Sequence, residues 1–171
     1  MKKFLLLIIV TALFSACNEQ EKRYTQDSSE IDSMKALISD YNAMNYESLV
    51  TYYADTSQTR FNNAKMKSTD IPAYHKANDA NYSSRGFEDK DQDFEMVVTD
   101  KGQTWVNFWA TWKGTLAANN KEITIPVHLT AQFINGKIVE DYGYWDPSEV
   151  ILSLQEIEAE KMNMEAETTQ E

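Results

Sequence analysis

The side chains best suited to proton transfer near neutral pH are the two histidines, His75 and His128, because an imidazole ordinarily titrates in that range. His128 sits in a run, Glu122 to Ile134, where Ile123, Ile125, Val127, Leu129, Ala131 and Phe133 alternate with polar residues. That period of two places the apolar set on one face of a strand and His128 on the other, with Glu122, Thr124, Thr130 and Gln132. His128 is therefore expected to point away from the main core, as a surface or interface histidine, unless a bulge reverses the phase. Asp141 and Tyr142 on the following strand complete a candidate catalytic set with His128. No orienting partner for Asp141 is visible in the sequence, so its simplest expected role is a structural salt bridge. His75 stands between Tyr74 and Lys76, where nothing nearby orients its ring. Asp89, Asp91 and Asp93 imitate the start of a calcium loop, but Phe94 replaces the glycine at its sixth position and Asp100 the glutamate at its twelfth. A solvated acidic loop is expected there, and no metal or cofactor.

Cys17 is the only cysteine, which excludes an internal disulfide and a thiolate metal site. Lys2 and Lys3 precede the apolar stretch Phe4 to Phe14, which has the length of a signal-peptide core and is too short to span a bilayer. Phe14-Ser15-Ala16-Cys17 resembles a bacterial lipobox, with Phe14 where that pattern prefers leucine. The resemblance implies cleavage before Cys17, lipid on its sulfur and attachment to a membrane of the cell envelope, with more than one acyl chain for stable retention. Asn18 is compatible with sorting to the outer membrane. Removing residues 1–16, which hold two lysines and no acid, takes the net charge from −11 to about −13. So acidic a chain is not expected to bind nucleic acid or to offer a basic face to anionic lipid.

The elements that must position these residues follow from periodicity. Residues 17–28 read as a polar tether and 29–158 as one domain, with 159–171 an acidic flexible tail. Ser29-Glu30-Ile31-Asp32 has capping-box spacing, and Ile31, Met34, Leu37, Ile38, Tyr41 and Met44 recur at helical period. Asn45 is placed to cap a second short helix, and Asp55 to Asn63 reads as an irregular strand or loop. Pro72 in a first turn marks a third helix that puts Ile71, Tyr74 and Asn78 on one face. Phe94 to Thr99, Thr104 to Lys113, Glu122 to Ile134 and Lys137 to Trp145 are rich in β-branched and aromatic residues. Asn135-Gly136 is a strong hairpin signal, and short turns imply antiparallel neighbours. Asp146-Pro147-Ser148-Glu149 opens a last helix with Val150, Ile151, Leu154 and Ile157 as its buried stripe.

Helices followed by a run of strands indicate an α+β domain with helices on one face of a curved antiparallel sheet. Asn42-Ala43-Met44-Asn45-Tyr46-Glu47-Ser48-Leu49-Val50 followed by Tyr52-Tyr53-Ala54-Asp55 resembles the opening of the SnoaL-like, nuclear transport factor 2-like superfamily. Ile125-Pro126-Val127, Phe133 to Ile138 and Tyr144-Trp145-Asp146 are similar to its closing strand pair. The resemblance implies a cystatin-like cone, with three N-terminal helices on the concave face of the sheet and an apolar pocket between them, plus the C-terminal helix.

In ketosteroid-isomerase-like members a carboxylate base follows the Ala-Asp element. That position falls here on Phe61 or Asn62, neither of which abstracts a proton. The oxyanion-hole tyrosine of the first helix maps near Leu37. The second oxyanion acid maps to His128 when anchored on Pro126, and to Leu129 when anchored on Phe133 and the Gly136-Lys137 turn. These replacements favour a binding module over that isomerase. Tyr41, Tyr53, Trp105, Trp109, Leu129, Tyr142 and Trp145 are the expected ligand-binding set, suited to a small hydrophobic ligand. Trp105 and Trp109 share one strand face, and Val106, Phe108, Ala110 and Trp112 the other. Both faces thus call for cover, one by the pocket and one by a partner or a second copy in a sheet-to-sheet homodimer. A lyase, isomerase or hydrolase using His128 with Asp141 or Tyr142 is the alternative.

Overall fold

The computed structural model describes residues 23–168. Cys17 and the signal segment lie outside the described residues. The first helix, α1 (Ser29–Asn42), is capped by Ser28, whose hydroxyl accepts from the Ile31 amide at 3.2 Å. The cap falls one residue before the expected Ser29, because Ser28 is the last residue with extended backbone. Ile31, Met34, Leu37 and Ile38 form the buried stripe of α1. The helix stops before Met44, which takes a positive φ of 61°. A single turn, α2 (Tyr46–Leu49), and a 3-10 turn (Val50–Tyr52) follow. Asn45 does not cap α2; its amide donates to Asp40 instead.

Asp55 to Asn63, ambiguous in sequence, belongs mostly to the regular strand β2 (Tyr53–Phe61), which pairs with β3 (Ala64–Lys67). A 3-10 turn then leads into α3 (Ile71–Asp79), with Pro72 in its first turn. Next come β4 (Tyr82–Phe87), β5 (Asp93–Val98), β6 (Thr104–Leu116), β7 (Glu122–Ile134) and β8 (Lys137–Tyr144). The β7–β8 hairpin turns on Asn135 and Gly136, both at positive φ (52° and 73°), the conformation that this residue pair adopts cheaply. A short strand, β1 (Tyr24–Thr25), lies within the stretch read as tether and pairs with β5.

The sheet runs β1-β5-β6-β7-β8-β2-β3, curved and open at both edges, with β4 beside the Trp112–Leu116 end of β6. Every pairing is antiparallel except that of β2 with β8. The sheet is therefore mixed. Turn length explains the difference: a hairpin dictates antiparallel neighbours, whereas β2 and β8 are far apart in sequence and no turn sets their direction.

Alternation along β7 follows the sequence pattern. Ile123, Ile125, Val127, Leu129, Ala131 and Phe133 are all buried against the helices, in one core with Val106, Phe108 and Ala110 of β6. The last helix, α4 (Ser148–Thr168), begins where Asp146 accepts from the Ser148 amide at 2.9 Å. Val150 and Leu154 pack on the core and Ile157 is buried. Where a polar tail is expected, helix continues to Thr168. Its Glu, Lys, Met and Ala residues are good helix formers even without a face to bury.

At the other end of the cone the Arg85 side chain is fully enclosed. Its Nε donates to both carboxylate oxygens of Asp79 at 2.9 Å, and Nη1 to the Tyr41 carbonyl at 2.7 Å. Its Nη2 donates to the Tyr46 hydroxyl. The guanidinium also lies 4.2 Å from the centre of the Tyr41 ring. This one side chain joins α1, α2 and α3 to β4.

Candidate functional site

Between α1, α3, the concave face of the sheet and the first turns of α4 lies a cavity of about 340 Å³. Its wall is mostly apolar: Met34, Leu37, Ile38 and Tyr41 from α1; Phe61 from β2; Ile125, Val127 and Leu129 from β7; and Val150, Ile151 and Leu154 from α4. Polar groups enter at a few points.

Asp141, on β8, is one of them. It is buried (4% exposed), and the Tyr53 hydroxyl donates to its Oδ2 at 2.7 Å. Its Oδ1 makes no hydrogen bond, nor does the buried Oγ of Ser57. Burial raises Asp141 to about 6, with the Tyr53 hydrogen bond acting in the opposite direction. Burial, together with the neighbouring carboxylate, raises Tyr53 well above its ordinary value. The pair thus presents a carboxyl that changes charge near neutrality on the wall of an apolar chamber, the setting in which acids and bases are tuned for proton transfer.

His75, on α3, is another. Its ring stacks on Tyr46 at 5.6 Å and meets Tyr41 edge-on at 4.9 Å, with Tyr74 and Phe61 alongside. Burial in this aromatic cage lowers its pKa to about 4, so it is neutral at physiological pH. Sequence neighbours other than Tyr74 give no hint of this, because the remaining rings around His75 come from three other elements. At the same end the Trp112 indole Nε1 donates to the Tyr41 hydroxyl at 2.9 Å.

Of the expected ligand-binding set, Tyr41, Tyr53, Leu129 and Trp145 line the cavity, while Trp105, Trp109 and Tyr142 do not. Strand phase explains the division. Trp105 and Trp109 flank Asn107 on the outer face, opposite Val106 and Phe108. Tyr142 pairs with Thr130 on that face, where it accepts from Arg60 at 2.9 Å and donates to Glu140 at 2.7 Å. His128 is also on the outer face, stacked on Trp109 at 4.9 Å with the planes 3° apart and near Tyr144. The set of His128 with Asp141 or Tyr142 is therefore not assembled, since Asp141 alone of the three faces the cavity. The salt bridge expected of Asp141 is also absent among the described residues; its partner is Tyr53. Phe61 and Leu37 line the cavity as apolar wall, and Asn62, at a positive φ of 50°, accepts from the Trp145 amide.

No family model matches the chain, and no curated protein matches it in sequence. Solved structures match in fold. A candidate polyketide cyclase from Xanthomonas campestris superposes with a TM-score of 0.62 at 12% identity, over 75% of this chain and 98% of that one. A candidate SnoaL-like polyketide cyclase from Shewanella denitrificans gives 0.58 at 16% identity, over 76% and 99%. An NTF2-like protein of unknown function from Burkholderia pseudomallei gives 0.60 at 12% identity, over 73% and 96%. The fold is thus the nuclear transport factor 2-like cone of these structures, here with a buried carboxyl on the wall of its chamber.

The two buried titrating groups act on stability with opposite signs. Between about pH 4 and 6 folded Asp141 keeps a proton that the unfolded chain has released, so stability falls as pH rises, by about 3 kcal/mol in all. Folded His75 refuses a proton that the unfolded chain takes up below about 6.5, so its contribution falls as pH drops towards 4. The wild-type profile is consequently flattened. Asp141→Asn removes one arm: urea unfolding should show the variant more stable than wild type at pH 8, by up to about 3 kcal/mol. The gain should shrink towards pH 4; an equal difference at both pH values would refute the assignment.

Proposed function

We propose that the protein is a lipid-anchored protein of the bacterial cell envelope whose cone holds a small, predominantly apolar, ring-bearing ligand. The partly open, aromatic-lined cavity carries this reading, since most of its wall offers contact area and few groups offer hydrogen bonds. The basic start, the apolar stretch and the lone Cys17 support the anchor. Half-exposed Tyr144 and the Trp109–His128 stack on the outer face support pairing with a second copy.

Asp141 favours a second reading, in which the ligand is turned over by proton transfer. An enolisable ketone bound beside the Asp141 carboxylate would lose an α-proton to it, the C–H electron pair forming the enolate C=C bond as the carbonyl π pair moves to oxygen. Returning the proton to the same carbon gives exchange, and returning it to the γ-carbon of a β,γ-unsaturated ketone gives isomerisation, with no co-reactant required.

Three experiments address these readings. Cys17→Ser should move the protein from the membrane fraction to the soluble fraction of the producing bacterium and abolish labelling by radioactive palmitate; retention on the membrane would overturn the anchor. Native mass spectrometry of the domain from Asn18 onward should show one molecule of added 2-ethylnaphthalene per chain and should count subunits. Val127→Trp, which fills the cavity, should abolish that adduct in a variant whose circular dichroism is unchanged; persistence of the adduct would place the ligand elsewhere. For turnover, wild type in D2O should speed deuterium uptake into the acetyl group of 2-acetonaphthone, with a rate rising as pH passes about 6. Asp141→Asn should lose on the order of 10²-fold or more of that rate; equal rates would leave a binding protein without this chemistry.

A further inference from the structure

The cavity contains a second polar point, and its donors and acceptors do not balance. The Tyr41 hydroxyl accepts from Trp112 Nε1 at 2.9 Å. Its own proton has no acceptor among the described residues. His75 meets the Tyr41 ring edge-on without a hydrogen bond, and the Asp79 carboxylate is taken by Arg85. A phenol that accepts one hydrogen bond still has an O–H to donate, and this partly buried one faces the cavity.

The surroundings fix where that O–H can be used. Both Tyr41 and Trp112 line the cavity. Tyr41 is held at the end of α1 by three contacts: Arg85 donates to its carbonyl at 2.7 Å, the same guanidinium covers its ring at 4.2 Å, and Trp112 holds its oxygen. The next residue, Asn42, is clamped to Phe87 of β4 by two hydrogen bonds, of 2.9 and 3.0 Å. The hydroxyl is therefore oriented before any ligand arrives, and little freedom is lost on binding. The Trp112 N–H and the nearby guanidinium both draw electron density from the phenol oxygen, which strengthens its O–H as a donor. Burial raises Tyr41 to about 12, so the proton is present throughout the physiological range.

We propose that the Tyr41 hydroxyl, held by Trp112 and Arg85, is a directional donor site for an acceptor oxygen on the ligand. This rests on the cavity being a ligand site, and it narrows the ligand class to apolar ring compounds bearing a carbonyl or similar acceptor oxygen, as distinct from plain hydrocarbons. The site selects an acceptor and not a donor, because the lone-pair direction of the phenol is already occupied by the indole. Trp112 acts through Tyr41 as a positioning residue.

Two matched probes test it on the domain from Asn18 onward: 2-acetonaphthone, which carries an acceptor-only carbonyl, and 2-ethylnaphthalene, which lacks one. Wild type should prefer the ketone by about 3- to 10-fold in affinity, the value of one net hydrogen bond. Tyr41→Phe, which keeps the ring and its contact with Arg85, should erase that preference, read as the ratio of the two affinities on the same variant. The infrared carbonyl stretch of the bound ketone should lie at lower frequency in wild type than in Tyr41→Phe, a readout that a purely structural role would not move. Trp112→Phe should give an intermediate frequency. If both probes bind wild type equally, or the stretch is unmoved in Tyr41→Phe, the donor site is refuted and the apolar pocket stands. If neither probe binds wild type, the pocket reading itself fails.

Discussion

The enclosed Arg85 guanidinium is the interaction on which the closed end of the cone depends. A buried cation is tolerable only when every direction around it is answered, and here the answers come from separate elements: the Asp79 carboxylate from α3, the Tyr41 carbonyl and ring from α1, and the Tyr46 hydroxyl from α2. α1 has a buried stripe of its own, but the other two helices do not. α3 buries only Ile71 and Pro72, and α2 is a single turn. Helices so short or thin are held by tertiary partners rather than by intrinsic propensity, and Arg85 supplies a common one.

The same arrangement prepares the cavity. By fixing Tyr41 and Asp79 it sets the aromatic cage around His75, which burial then holds neutral. The Asp141–Tyr53 pair belongs to a different part of the wall, on strands β8 and β2, whose parallel register brings Asp141 opposite Thr59. The cavity therefore combines an apolar body with a titrating carboxyl on the sheet and a neutral donor on the helical layer.

The outer face of the sheet has a different character. Trp109, His128 and Tyr144 form a stacked row, and Arg60, Tyr142 and Glu140 a charged one beside it. Trp105 packs beside Tyr142, with ring centres 6.1 Å apart, so the outer face is organised without being part of the chamber. Aromatic richness alone did not distinguish the two faces; strand phase did.

Much of the fold was legible in sequence because it rests on local periods. Alternation in Glu122 to Ile134 assigned each face of β7, and Asn135-Gly136 located its hairpin, since both signals depend only on neighbouring residues. The same alternation correctly sent His128 outward. What could not be read was any relation between distant segments: the parallel pairing of β2 with β8, the strand β4 that supplies Arg85, and the meeting of Tyr53 with Asp141 across 88 positions of sequence. Trp105, Trp109 and Tyr142 were counted with the pocket because residue type carries no information about which face the sheet will cover. By itself, then, the sequence determined an acidic α+β domain with an apolar strand face and a lone cysteine after a signal-like segment, and its family resemblance implied the cone. Only the tertiary structure decided which polar groups are buried in the chamber, because burial, and the pKa shifts it causes, arise from packing between elements that are remote along the chain.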